Sequence, residues 1–261
     1  MPLLMVSYAL LVFLPAFLGK VFNPPTDAAQ YVQILLRWLH FLAGITWIGH
    51  LYFFNLVNVN LMKSLDGPTK GKVIPQLMPR ALWWFRWGAL ITVLVGLTYF
   101  AMYLIAPDAH NANKNPFVVL IVWLLIPLIT FAIEMVFLKR IGNGWTLAAA
   151  VLVLMIVTAI VIIWWLNSQL GSYGSNMSYC IGIGGSMGTV MLFNVWAIIW
   201  PNQKRIIAWT ADNAEKGTAI PGESARLARI AFLASRTNTW LSVPMLFFMG
   251  ASKHFITFGS S

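Results

Sequence analysis

A bundle of about seven membrane-crossing α-helices, N-terminus cytoplasmic and C-terminus periplasmic, is the all-α integral membrane fold that the sequence predicts. Three observations predict it. Hydrophobic residues make up 59% of the 261 and charged residues only 9%, against about 25% charged in a soluble domain. Apolar runs recur at the length a bilayer demands, because a hydrocarbon core about 30 Å thick needs roughly 20 residues at 1.5 Å each. Lysine and arginine gather in alternate connections, so the net charge of +10 is a topology signal and not the footprint of a nucleic-acid partner. The chain therefore reads as a single membrane domain, 1–261, in the bacterial inner membrane, with the lipid bilayer as its first partner.

The expected first span, Pro2–Leu18, belongs to an extra helix over residues 1–20. It lacks a basic leader and a small-x-small cleavage site, so it reads as a retained helix and not a signal peptide. The second, Tyr31–Leu56, carries Arg37, His40 and His50, and the third, Leu82–Ile105, opens on Trp83-Trp84-Phe85-Arg86-Trp87. The fourth, Pro116–Leu138, holds Glu134 near its end. In the fifth, Trp145–Leu166, the stretch from Val151 has little besides Thr158 to interrupt its apolarity, which predicts a helix facing lipid. The sixth, Tyr179–Trp200, contains Gly184 and Gly188, a small-xxx-small pair suited to close helix packing. Pro201–Arg226 reads as a short amphipathic connection, and Leu227–Gly250 as the seventh span, with Arg236 inside it. Glu134 and Arg236 are opposite charges at membrane depth, so a structural pair is expected.

On this reading the cytoplasmic connections hold Lys63, Lys70, Lys72, Arg80, Lys139, Arg140, Lys204, Arg205, Lys216 and Arg226, and the other side Lys20, Lys114 and Lys253. Cys180 is the only cysteine, which excludes an intrachain disulfide, a cysteine zinc cluster and covalent haem attachment. Glycine-rich phosphate loops and His-Glu-x-x-His are absent.

The second span is where chemistry is expected. An arginine at mid-bilayer costs roughly 2.5–3.5 kcal/mol on insertion scales, so ionisable groups there take a functional reading by default. A neutral imidazole is also an axial haem ligand. His40 and His50 are ten residues apart, about 15 Å of rise and some 80° of rotation, so one iron cannot take both. His40 shares a stripe with Gly44 and Trp47. The glycine one turn away admits either a porphyrin or another helix. Each histidine is thus either an iron ligand or an imidazole hydrogen-bonded to a neighbouring helix; motif context favours the ligand for His40 and the hydrogen bond for His50. Arg37, one turn from His40, either pairs with a haem propionate or snorkels to the interface. His254 follows the last span on the side where the His40 helix enters.

These stretches resemble the membrane domain of the cytochrome-c-linked bacterial urate oxidase family, the urate oxidase N-terminal domain. The resemblance rests on Arg37-Trp38-Leu39-His40 through Trp47-Ile48-Gly49, Leu82 to Trp87, Gly188-Thr189-Val190-Met191 leading to Asn194-Val195-Trp196, Trp200-Pro201-Asn202-Gln203, Arg236 to Trp240, and Met249 to His254. It covers about residues 31–256. It implies a helical membrane domain followed by a periplasmic cytochrome c domain, which the sequence ending at Ser261 lacks, and oxidation of urate to 5-hydroxyisourate. Histidines that it implies fall on Trp83, Gly182 and Thr237, and a glutamate on Gly88; His40 and His254 keep their places. The His40–Gly49 helix is also similar to those of membrane-bound protoporphyrinogen oxidases and copper-resistance membrane proteins.

Two function classes follow. In one, the chain binds haem b, with His40 as axial ligand and Arg37, Gly44, Trp47 and His254 around the cofactor, and exchanges electrons with a separate periplasmic c-type cytochrome. In the other it is a cofactor-free structural subunit of a larger respiratory or photosynthetic membrane complex. Catalysis on urate is the less favoured third reading.

Overall fold

The computed structural model describes residues 25–254 and 258, and among them there is no strand. Continuous helices follow one another: α1 Ala28–Ser64, α2 Gly67–Asn111, α3 Pro116–Arg140, α4 Gly144–Tyr173 and α5 Asn176–Lys216, then α6 Ser224–Ala251. The first five are long and apolar enough to cross a membrane. The expected span Pro2–Leu18 lies outside the described residues. The expected span Leu227–Gly250 forms α6, which at 28 residues and about 42 Å has the length. Arg229, Ser235, Arg236, Asn238 and Ser242 keep it from matching the others in apolarity. All the geometry below belongs to the compact unit Leu36–Ser261.

Side-chain caps start the helices. Asn115 accepts from Phe117 N at 2.9 Å and Asn143 from Trp145 N at 2.9 Å, which satisfies backbone donors that a helix start leaves open. Asp66 starts α2 by accepting from Thr69 N at 2.9 Å, and the hydrogen bonds from Thr69 hold its carboxyl below the usual carboxylate range. At the far end of α5, Gly217 takes the left-handed conformation, φ 68°, where a side chain would be strained.

The two longest helices far exceed the bilayer. α2 has 45 residues and α5 has 41, or about 67 and about 61 Å, roughly twice the hydrocarbon thickness. The surplus at the start of α2 meets the surplus at the end of α5, where a Cβ on Gly71 would stand 3.0 Å from that of Ala214. The connection expected over Lys63–Lys72 is therefore a turn at Leu65–Asp66, and the one expected over Pro201–Arg226 is helix as far as Lys216. A proline inside a helix removes a donor and its ring presses on the carbonyl four residues back. Here π-helical turns, Ala101–Ile105 before Pro107 and Asn194–Ile199 before Pro201, widen the backbone there and the helix continues.

Hydrogen bonds fix which ends lie together. Ser175 N and Ser178 Oγ donate to Asp108 Oδ2 at 2.8 and 2.6 Å, and Asn176 Nδ2 donates to Ser252 O at 3.0 Å, joining the end of α2, the start of α5 and the end of α6. At the opposite end Arg229 Nη2 donates to Gly142 O at 2.7 Å. That opposite end holds Lys63, Lys70, Lys72, Arg80, Lys139, Arg140, Lys204, Arg205, Lys216, Arg226 and Arg229.

Lipid tails are as apolar as leucine, so helices in a bilayer are held by close packing and interhelical hydrogen bonds. α5 is the most enclosed helix. Cβ atoms on Gly184 and Gly188 would stand 3.1 Å from Met245 O and 3.4 Å from Met245 Sδ, so the small-residue stripe is where α6 packs. α4 has one outward apolar face, with Leu152, Ile156, Ile160 and Trp164 exposed, and one packed face, with Val151, Met155, Ile162 and Leu166 buried. α1 presents Trp38, Phe41 and Ile45 outward, the last two 63% and 70% exposed, and buries Trp47, Leu51 and Phe54.

Candidate functional site

The imidazole of His40 lies in the α1–α2 contact. Its Nδ1 is 2.9 Å from Thr92 O, and the ring fills the space left by Gly96, where a Cβ would stand 2.7 Å from Cε1 and 2.8 Å from Nδ1. A carbonyl only accepts, so Nδ1 carries the proton and Nε2 the lone pair. Gly44 faces Thr92, whose Cγ2 would lie 3.7 Å from a Cβ there. Trp47 is buried on Gly88, where a Cβ would be 3.2 Å from Trp47 N and 3.4 Å from Ala43 O. The stripe His40–Gly44–Trp47 is thus the seam of a helix pair. A porphyrin seated over Gly44 would displace α2, so Gly44 and Trp47 do not fit a haem there. Within this stripe, only His40 offers an imidazole, and its carbonyl-bound Nδ1 is the arrangement that orients metal-binding imidazoles.

Positions where the resemblance implies chemistry are filled otherwise. At Gly88 a side chain would meet the backbone of α1, as above. A Cβ on Gly182 would stand 2.8 Å from Leu166 Cδ1, and the Gly182 carbonyl accepts from Trp123 Nε1 at 3.1 Å. Thr237 is buried on α6, and Trp83 is exposed in an edge-to-face contact with Trp84 at 4.9 Å.

The remaining candidates stand apart. His50 Nδ1 is 2.7 Å from Thr46 O, a bond within its own helix and not to a neighbour. Arg37 is exposed and has no carboxylate partner among the described residues. His254 borders a shallow apolar hollow of about 320 Å³ with Leu246, Phe247, Gly250 and Ala251, and neither His40, Arg37, Gly44 nor Trp47 lines it. Among the described residues, His, Cys, Asp and Glu form no group of three or more suited to a metal ion.

The expected Glu134–Arg236 pair does not form. The Arg236 guanidinium sits 5.6 Å from the ring centre of Phe232. Glu134 is fully buried, and Oε1 accepts from Asn194 Nδ2 at 2.9 Å. The same Nδ2 donates to Asn238 Oδ1 at 2.8 Å, and Asn238 Nδ2 to Met191 O at 3.0 Å. This junction joins α3, α5 and α6 where the π-helical turn of α5 begins.

Sequence reasoning missed the asparagines that build it. A second junction ties α1 to α6: Asn55 Nδ2 donates to Ser235 Oγ at 2.8 Å, and Tyr52 Oη lies 2.9 Å from Ser242 Oγ. Ser235, Asn238 and Ser242 recur at helical spacing on α6, a signal that was present inside an otherwise apolar pattern. The tryptophan array knits α2 to α5. The Arg86 guanidinium lies 3.7 Å from the Trp200 ring centre, Trp196 Nε1 donates to Arg86 O at 3.2 Å, and Trp87 meets Trp196 edge to face at 5.5 Å.

Apolar helices of bilayer length, joined by small-residue seams and buried amide junctions, define a multi-pass helical membrane protein. Its family is more particular. The family described as urate oxidase N-terminal matches residues 26–261, nearly the whole chain, and the chain belongs to it. Comparison with curated proteins and with solved structures gave no match.

Proposed function

We propose that this chain is a cofactor-free structural subunit of a larger bioenergetic complex in the bacterial inner membrane, basic end in the cytoplasm. One observation carries the proposal. Gly88 and Gly182, where the family resemblance implies a carboxylate and an imidazole, serve close packing against Trp47 and Leu166. Neither a general base nor an iron ligand can come from those positions. The outward face of α1, with Trp38, Phe41 and Ile45, supports contact with lipid or a neighbouring subunit.

The test is native electrophoresis of mildly solubilised membranes carrying a tagged chain. The tag is expected to migrate with a c-type cytochrome or a pigment-bearing complex, at a mass far above 29.2 kDa. Migration as a monomer or as its own oligomer overturns the reading. The Nδ1–Thr92 bond supports a second reading, in which His40 Nε2 ligates haem b and the chain passes electrons to a periplasmic cytochrome. Pyridine haemochrome analysis of the purified protein separates the two. A b-type signal lost in His40→Ala but kept in His50→Ala selects the second.

A further inference from the structure

The amide junction leaves two buried atoms over. Glu134 Oε2 and Asn194 Oδ1 have no hydrogen-bond partner, and both are acceptors when the carboxyl is ionised. Burying such a group unpaired costs several kcal/mol in hydrocarbon, roughly, and a carboxylate there with a single amide donor is worse placed still. The charged and polar groups around Glu134 are few. Thr130 on its own helix is 2.9 Å from Thr158 of α4, α5 offers Asn194, and α6 offers Asn238. Arg236 is turned over Phe232, and among the described residues no lysine, arginine or histidine stands within ion-pair distance.

Covalent connectivity says what would satisfy both orphans at once. Asn194 Nδ2 already donates to Glu134 Oε1 at 2.9 Å. The atoms left over are the other carboxyl oxygen and the other amide heavy atom of the same pair. A single proton on Oε2 turns one orphan acceptor into a donor and gives the other its partner, closing an eight-membered acid–amide ring. The second hydrogen of Nδ2 is already directed to Asn238 Oδ1 at 2.8 Å, so both amide hydrogens are used.

We infer that Glu134 is a proton-binding site inside the bundle, its side chain held as the carboxylic acid that donates Oε2–H to Asn194 Oδ1 while Oε1 accepts from Nδ2. The proton is thereby a structural ligand of the α3–α5–α6 junction. This inference is independent of the subunit and haem readings.

The test is infrared difference absorption of the full chain in lipid nanodiscs at neutral pH, wild type minus Glu134→Gln. The glutamine can form the same ring as an amide–amide pair with one N–H left over, so the variant is expected to fold, with a melting temperature lowered only by that single N–H. The expected spectrum contains a hydrogen-bonded carboxylic acid C=O band that shifts down in heavy water and vanishes in Glu134→Gln. In Asn194→Ala the band moves to the frequency of a free acid. Carboxylate stretches lost in Glu134→Gln, with no acid band, would overturn the inference. Wild-type stability that rises in sodium over choline salts, and no longer does so in Glu134→Gln, would overturn it too, because a cation would then occupy the two oxygens.

Discussion

At the scale of single residues, His40 and Gly96 are two halves of one contact. The ring occupies the volume that a side chain at 96 would need, so each residue sets what the other can be. Gly96→Ala puts a methyl 2.7 Å from Cε1 of a ring already tied to Thr92, and overpacking of this kind costs about 1–3 kcal/mol. His40→Ala leaves a void beside Gly96. In the double variant His40→Ala/Gly96→Ala the new methyl enters that void, so the two losses do not add. Thermal unfolding in detergent is expected to show coupling on the order of 0.5–3 kcal/mol, the range for residues in contact. Additive losses would mean that the imidazole is not lodged in the helix seam.

The helix pair α1–α2 is the next scale. At Gly88 the atoms that a methyl would meet are backbone of α1 and cannot swing aside. Gly44, on the facing helix, meets a threonine methyl at an ordinary 3.7 Å. Gly88→Ala is therefore expected to lower the melting temperature and the yield of monodisperse protein, and Gly44→Ala to leave both near wild type. Equal tolerance at the two sites would argue that the helices pack elsewhere. In the sequence Gly44 reads as the opening beside His40, and Gly88 carries no packing signal of its own. The reason is physical: a glycine announces close approach without saying what approaches, and that is settled by the partner helix.

The same limit explains what else the sequence left hidden. Continuous apolar stretches at Leu82–Ile105 and Pro116–Leu138 placed α2 and α3 within a membrane from hydropathy alone, because bilayer thickness imposes a length that a window can measure. The spans expected to end at Ile105 and Trp200 run on past Pro107 and Pro201, because π-helical turns carry the helices past both. Asn55, Asn194 and Asn238 are the residues most often found at turns and caps, so inside apolar runs they are averaged away, although the family stretches include Asn194 and Asn238. His40 was legible as a residue of interest. Its partner Thr92 lies 52 positions on, and only the packing of α1 on α2 brings them together.

Over the whole molecule, the gathering of lysine and arginine at one end is the property with a direct cellular readout. On the proposed placement in a bacterial inner membrane, where lysine and arginine are retained on the cytoplasmic side, the turn at Leu65–Asp66 is expected inside. A reporter that is active only in the periplasm is expected to be silent when inserted at Leu65–Asp66 and active when fused after Ser261. The opposite pattern would invert the assignment and, with it, the side on which a c-type cytochrome could be met.

The π-helical turn at Asn194–Ile199 has one more effect, which concerns helical phase. One extra residue in a turn sets everything after it back by about 100° from where an unbroken α-helix would carry it. The membrane part of α5 and its extension from Trp200 to Lys216 are thus one rod with two independent compass bearings. The buried face around Ser178–Leu192 is set by packing within the bilayer. The extension, freed from that bearing, turns Ile207 inward and leaves Arg205, Lys216 and their carboxylate partners exposed at the rim. A residue inserted after the turn, where no π-helical turn absorbs it, would rotate Ala214 about 100° away from Gly71, so the turn, by absorbing its own extra residue, fixes which way the protruding end looks.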